Sequence, residues 1–137
     1  MIRPKALDHL ALKVTDMAGA VHFYHDILGL ELQRRSGPND KGGEMAVLQA
    51  GEQKLDLFSR PDFVSADKDD PVGMDHLCLI MDVPSVDALV DHLQQAKVDI
   101  FWGPVERHGS TSVYVYDPDG VHVELRVHTT PTTTAHT

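Results

Sequence analysis

A lone cysteine, Cys78, is the whole thiol content of this 137-residue chain. It closes no internal disulfide and offers none of the paired spacing of a zinc finger, so any metal has to be held by histidine and carboxylate. Positive charge is scarce as well. Lys and Arg number 12 against 21 Asp and Glu, a formal charge of −9, which repels a phosphate backbone or an anionic bilayer and removes nucleic acid as a partner. No apolar run approaches the roughly 20 residues that cross a bilayer. Nor does Met1-Ile2-Arg3-Pro4-Lys5 contain the apolar stretch of a secretory signal, and the chain reads as cytosolic (cytoplasmic). With 42% hydrophobic and 24% charged residues, global disorder is excluded too.

What the chain has is a repeat. Asp8-His9-Leu10-Ala11-Leu12 returns as Asp75-His76-Leu77-Cys78-Leu79, with the histidines 76 − 9 = 67 residues apart, about half the chain. Self-similarity at that spacing predicts two like modules. The first occupies residues 1–60. Its opening stretch, 7–14, alternates: Leu10, Leu12 and Val14 share one face, His9, Ala11 and Lys13 the other, which is a strand with one packed side. Asp16 is positioned to cap a helix whose apolar positions Ala20, Val21, Phe23, Tyr24, Ile27 and Leu28 recur every three or four residues, and Gly29 ends it. Strands follow over 30–36, 44–50 and 53–59, with a loop over 37–43.

Residues 61–73 hold two prolines, four aspartates and no periodicity, which reads as a linker. The second module, 74–128, repeats the order. Ser85 caps a helix presenting Val86, Leu89, Val90, Leu93 and Ala96, and strands are expected over 98–102, 112–116 and 121–127. A loop is expected over 103–109. The turn Asp117-Pro118-Asp119-Gly120 joins the last two strands. The tail, 129–137, has nothing to bury and is expected to be mobile.

Alternation also decides which polar residues share a face. In the first strand of module two, Leu77, Leu79 and Met81 pack and His76, Cys78 and Ile80 lie opposite. In the last strands, Leu55 and Leu57 pack opposite Lys54, Asp56 and Phe58, while Val121, Val123, Leu125 and Val127 pack opposite His122, Glu124 and Arg126. Each module therefore presents one histidine from its first strand and one carboxylate from its last. Asp56 and Glu124 are 124 − 56 = 68 residues apart, so they correspond after a single insertion. An outward polar residue on a half-buried sheet is ordinarily just solvated. Four at matched places, His9, Asp56, His76 and Glu124, point instead to one divalent ion. Two imidazoles with one or two carboxylates suit Zn, Ni, Mn or Fe(II), whereas calcium prefers oxygen alone.

Leu7-Asp8-His9-Leu10, Phe23-Tyr24 with Leu28-Gly29, Asp75-His76-Leu77, Gly103-Pro104-Val105, and Asp117-Pro118-Asp119-Gly120 with Val123-Glu124-Leu125 run through nearly the whole chain. Together they resemble the vicinal oxygen chelate superfamily, the group of glyoxalase I, bleomycin-resistance, fosfomycin-resistance and extradiol ring-cleaving proteins. The resemblance implies an α+β fold of two tandem βαβββ modules whose mixed sheets form a cup around one divalent metal, in chains that pair as homodimers. It puts the metal ligands at His9, His76 and Glu124, with Asp56 at the fourth position. A carboxylate there resembles the glyoxalase I-like members, which usually have Glu, whereas fosfomycin-modifying and ring-cleaving members leave the position open.

The activity implied is lyase or isomerase chemistry on a small-molecule substrate, an α-hydroxy carbonyl or thiol adduct. A proton leaves the carbon beside a carbonyl, the metal stabilises the enediolate, and Glu124 or Asp56 is the catalytic base. Two alternatives use the same scaffold: an Fe(II) extradiol ring-cleaving dioxygenase, and a fosfomycin-opening transferase or hydrolase, for which Glu44 stands where the hydrolases have a base. A third is a metal-free ligand-sequestering protein of the bleomycin-resistance kind, whose members usually lack the histidines and acid retained here.

Overall fold

The computed structural model describes residue 3 and residues 7–64, 74–107 and 109–128. They fall into two compact units, Met1–Ser65 and Ala66–Thr137. The tail over 129–137 and most of the expected linker lie outside the described residues.

In the first unit the alternation of the opening stretch produces β1 (His9–Val14), with Leu12 and Val14 buried and His9, Ala11 and Lys13 exposed. A helix follows, then β2 (Glu31–Ser36), β3 (Glu44–Ala50) and β4 (Gln53–Ser59). The sheet order is β1-β4-β3-β2, parallel between β1 and β4 and antiparallel elsewhere. Leu48, Leu57, Ala46 and Val14 of the sheet and Met17, Ala20, Phe23 and Tyr24 of the helix are each nearly or wholly inaccessible and make up the core. Leu57→Ala, in the middle of β4, is expected to destabilise the protein by about 2–5 kcal/mol in denaturant unfolding, because it empties a site flanked by strands on both sides.

The helix differs from expectation in two ways. Only α1 (Met17–Val21) is α-helical; His22–Ile27 continue as a π-helix, with Leu28 N donating to Phe23 O at 3.0 Å. His25 Nδ1 donates to the Leu30 carbonyl at 2.7 Å, which ties the wider turn to the start of β2. Asp16 occupies the N-cap position with extended dihedrals, yet its side chain makes no cap hydrogen bond. It leans over Gly19, where a Cβ would lie 2.9 Å from Asp16 Oδ2.

The second unit runs β5 (Leu77–Ile80), α2 (Val86–Gln95), β6 (Ile100–Arg107), β7 (Ser110–Tyr116) and β8 (His122–His128). Its sheet order is β5-β8-β7-β6, again parallel between first and last strands. Ser85 Oγ accepts from Ala88 N at 3.1 Å, the expected cap. Asp117 Oδ1 accepts from the amides of Asp119 and Val121, both at 2.8 Å, and so builds the expected turn before β8.

The loop expected over 103–109 is a correction. β6 continues through Gly103-Pro104 to Arg107, with register shifts between Ile100 and Trp102 and between Trp102 and Val105. A proline donates nothing to a ladder, but β6 is an edge strand and its bulges absorb the missing bond. The two units thus have the same βαβββ order and two four-stranded mixed sheets, the α+β arrangement anticipated above.

Candidate metal centre

Parallel pairing of first and last strands is what brings each histidine to its acid. In the first unit Ala11 lies opposite Asp56. His9, two residues earlier on β1, shares that face. His9 Nδ1 is 2.7 Å from Asp8 Oδ2, and His9 Nε2 is 3.7 Å from Asp56 Oδ2. The second distance is too long for a hydrogen bond. The Asp8 bond, followed by the charge of Asp56, raises the pKa of His9 above the ordinary imidazole value. Asp56 is only 9% exposed, and its Oδ1 is buried with no hydrogen-bond partner. A bare carboxylate oxygen away from water is costly, and a cation relieves it.

In the second unit Cys78 lies opposite Glu124, and His76 precedes Cys78 by two. His76 Nδ1 is 2.6 Å from Asp75 Oδ2, and His76 Nε2 is 3.0 Å from Glu124 Oε1. Glu124 is 3% exposed. Its Oε2 accepts from Ser112 Oγ at 2.7 Å and from Arg126 Nη2 at 2.9 Å. Burial pushes the Glu124 carboxyl up, but those two hydrogen bonds and the Arg126 charge outweigh it and hold the group below its ordinary value. Cys78 is exposed on the same face. Desolvation by its neighbours, followed by the Glu124 charge, pushes its thiol up from the ordinary value.

A depressed carboxyl stabilises the fold above its unfolded pKa of 4.5, and that contribution is lost as pH falls through the lower folded value. Ser112→Ala removes one of the bonds responsible. Acid titration of metal-free protein is therefore expected to show a smaller loss of stability below about pH 4.5 in the variant than in the parent.

The four expected residues thus form two pairs, one in each unit. Among the described residues, no three His, Cys, Asp or Glu side chains are gathered into a group suited to an ion. Sequence reasoning missed the residues that hold the pairs. Asp8 and Asp75 were legible in the repeated Asp-His dipeptide. Arg126 was legible as a same-face neighbour of Glu124 two residues on, whereas Ser112 was not, because only the β7–β8 register sets it beside Arg126 and next to Glu124.

Two hollows lie on the His9 face of the first sheet. One, of about 510 Å³, sets Gln33, Arg34, Gln49 and Lys54 around His9 and Asp56. The other, of about 860 Å³, is lined by Lys13, Met45, Phe58, Arg60 and Phe63 among others. Lys13 and Arg60 lie 5.1 and 4.5 Å from the Phe63 ring centre. Both volumes suit a small molecule. Glu44 also lines the larger hollow and lies 3.8 Å from Arg35.

The sequence model of the Glyoxalase family, described as the Glyoxalase/Bleomycin resistance protein/Dioxygenase superfamily, matches residues 6–125. Virulence protein STM3117 of Salmonella typhimurium is 33% identical over 124 residues, spanning 87% of this chain and 81% of its own length. The Glutathione transferase FosA of Serratia marcescens is 30% identical over 125 residues, 90% of this chain and 81% of the relative. The mitochondrial Methylmalonyl-CoA epimerase of Homo sapiens is 27% identical over 128 residues, 87% of this chain and 72% of the relative. Among solved structures, a mutant of the fosfomycin resistance protein FosX from Listeria monocytogenes, complexed with Mn(II) and 1S,2S-dihydroxypropylphosphonic acid, has the same fold. It superposes with a TM-score of 0.72 at 19% identity, covering 93% of this chain and 94% of that one.

Proposed function

The chain belongs to the Glyoxalase/Bleomycin resistance protein/Dioxygenase superfamily, and from that membership we propose that it is a divalent-metal-dependent enzyme of the glyoxalase I-like type, moving a proton at the carbon beside a carbonyl. Its substrate on this reading is a small α-hydroxy carbonyl or thiol adduct. The observation that carries the proposal is Asp56 Oδ1, a buried carboxylate oxygen with no donor, on the face shared with His9. The His76–Glu124 pair is built the same way in the second unit. An imidazole with a carboxylate suits Ni, Zn, Mn or Fe(II), and the ligands on this reading are His9 and Asp56 from the first unit and His76 and Glu124 from the second. The superfamily's metalloenzymes support a divalent ion, with Mn(II) in the fosfomycin resistance protein above.

When bound, a divalent ion supplies a Lewis acid that draws negative charge onto substrate oxygen. The chain's own residues do the rest. Asp8 and Asp75 accept the Nδ1 proton of the histidines that follow them, which leaves each Nε2 with its lone pair and fixes the ring. Ser112 and Arg126 occupy one oxygen of Glu124 and turn the other inward. Glu124 or Asp56 takes the proton from carbon and gives it back to that carbon or its neighbour. Burial of both acids limits loss of that proton to water. Epimerisation, named for one relative, is the same kind of proton transfer, and its presence among the relatives supports the reading. Epoxide opening and ring cleavage are disfavoured, because a carboxylate occupies the position that those members leave open.

Elemental analysis of purified protein, joined to turnover after chelation and metal add-back, tests the proposal. The expected result is about one ion per chain, loss of activity on hemithioacetals or of α-proton exchange in deuterated water on chelation, and recovery on add-back. Undiminished turnover in the chelated protein would overturn it.

A further inference from the structure

The chain is poor in aromatic residues, with four Phe, three Tyr and one Trp, yet half of them are gathered in one place on the second unit. Phe101 stacks on Tyr116 with ring centres 4.1 Å apart and planes 17° from parallel, and Trp102 stacks on Tyr114 at 4.6 Å and 25°. His122 joins at 5.1 Å from Phe101.

Successive residues of a strand ordinarily point to opposite faces, so Phe101 and Trp102 should not both reach this cluster. The register shift between Ile100 and Trp102 permits it, carrying both rings to the face of Tyr114 and Tyr116. Bulges that re-aim a side chain are frequent beside functional sites. The core lies on the other face, where Val113, Val115 and Val123 are inaccessible. Tyr114 is itself only 7% exposed, but the two rings laid over this face remain open, Trp102 at 50% and Phe101 at 38% exposure.

Its position gives it a use. Tyr114 is the cross-strand partner of Glu124, and the His76 ring centre is 6.2 Å from that of Tyr114. A ligand whose oxygens are directed at His76 and Glu124 would have its body over these rings. We propose that the second unit selects a substrate with a planar aromatic group, an aryl α-hydroxy carbonyl or aryl α-hydroxy acid, by stacking it on Trp102 and Phe101. This rests on the proposed function only for the direction of the substrate's oxygens.

Trp102 is the single tryptophan of the chain, so its emission reports on this surface alone. Mandelate and lactate, an aryl and a methyl α-hydroxy acid, are titrated into the full chain with and without Zn(II), whose own binding is followed by calorimetry. The expected result is that mandelate quenches Trp102 and binds about three- to tenfold more tightly than lactate, as an aromatic pair adds to simple burial. In Trp102→Leu and in Phe101→Leu, each checked for intact fold by circular dichroism and titrated with both acids by calorimetry, that preference is expected to shrink toward one. The Phe101 variant keeps the fluorescent reporter.

Equal affinity for the two acids in Zn(II)-loaded protein overturns the inference and leaves the metal reading standing. A mandelate preference that survives in both variants places the ring elsewhere and also overturns it. Quenching by mandelate in protein that takes up none of Zn(II), Ni(II), Mn(II) and Fe(II) supports the platform and overturns the metal reading instead. Trp102 emission that shifts with protein concentration alone, ligand absent, shows a second copy covering the rings and overturns the inference.

Discussion

Glu124→Gln is expected to lower metal-dependent turnover by on the order of a thousandfold or more while leaving the fold intact. The amide has the volume of the acid and lacks its charge. Its oxygen still accepts from Ser112 and Arg126, and its NH₂ group faces His76 Nε2, so no buried group is stranded. What disappears is an anionic ligand and a base together. Turnover at saturating metal, with thermal unfolding of the metal-free protein as control, reads both halves of the statement. Full activity in a folded variant would exclude the role assigned to Glu124.

Asp56→Ala separates function from stability in the opposite direction. Metal affinity is expected to fall by more than the roughly hundredfold that loss of an outer partner costs. Metal-free protein is expected to gain about 1–2 kcal/mol, because a buried carboxylate oxygen without a donor is removed. The His9 ring nitrogen nearest to it is 3.7 Å away on a half-exposed side chain, so little attraction is lost with it. Calorimetric metal titration and denaturant unfolding measure the two effects. A variant that is less stable without metal would mean that Asp56 is satisfied in the protein, and the argument from its orphaned oxygen would fall.

The features legible in the sequence were those set by local chemistry. Leu12 and Val14 alternate with exposed neighbours, Ser85 finds Ala88 three residues on, and Asp117 organises its own turn, all within a few residues of chain. The pairing of Ala11 with Asp56 and of Cys78 with Glu124 agrees with faces inferred from alternation and from the repeat. What alternation could not supply was any departure from it. The bulges in β6 carry a strand through a Gly-Pro pair that ordinarily punctuates a loop, and they set two adjacent aromatic residues on one face. Asp16 has the composition of a cap and a neighbour, Gly19, that lets it turn aside. Ser112 and Arg126 are 14 residues apart, and only the β7–β8 register joins them.

In each unit the histidine and its acid come from opposite ends of the module. Leu10 pairs with Leu55 and Leu77 with Val123, closures of 45 and 46 residues that folding must complete before either pair exists. An ion gripping both ends finds nothing to hold until that closure is made. It would then work as a clasp on the finished module, lengthening the lifetime of the native state and its resistance to proteases while leaving the speed of refolding almost untouched.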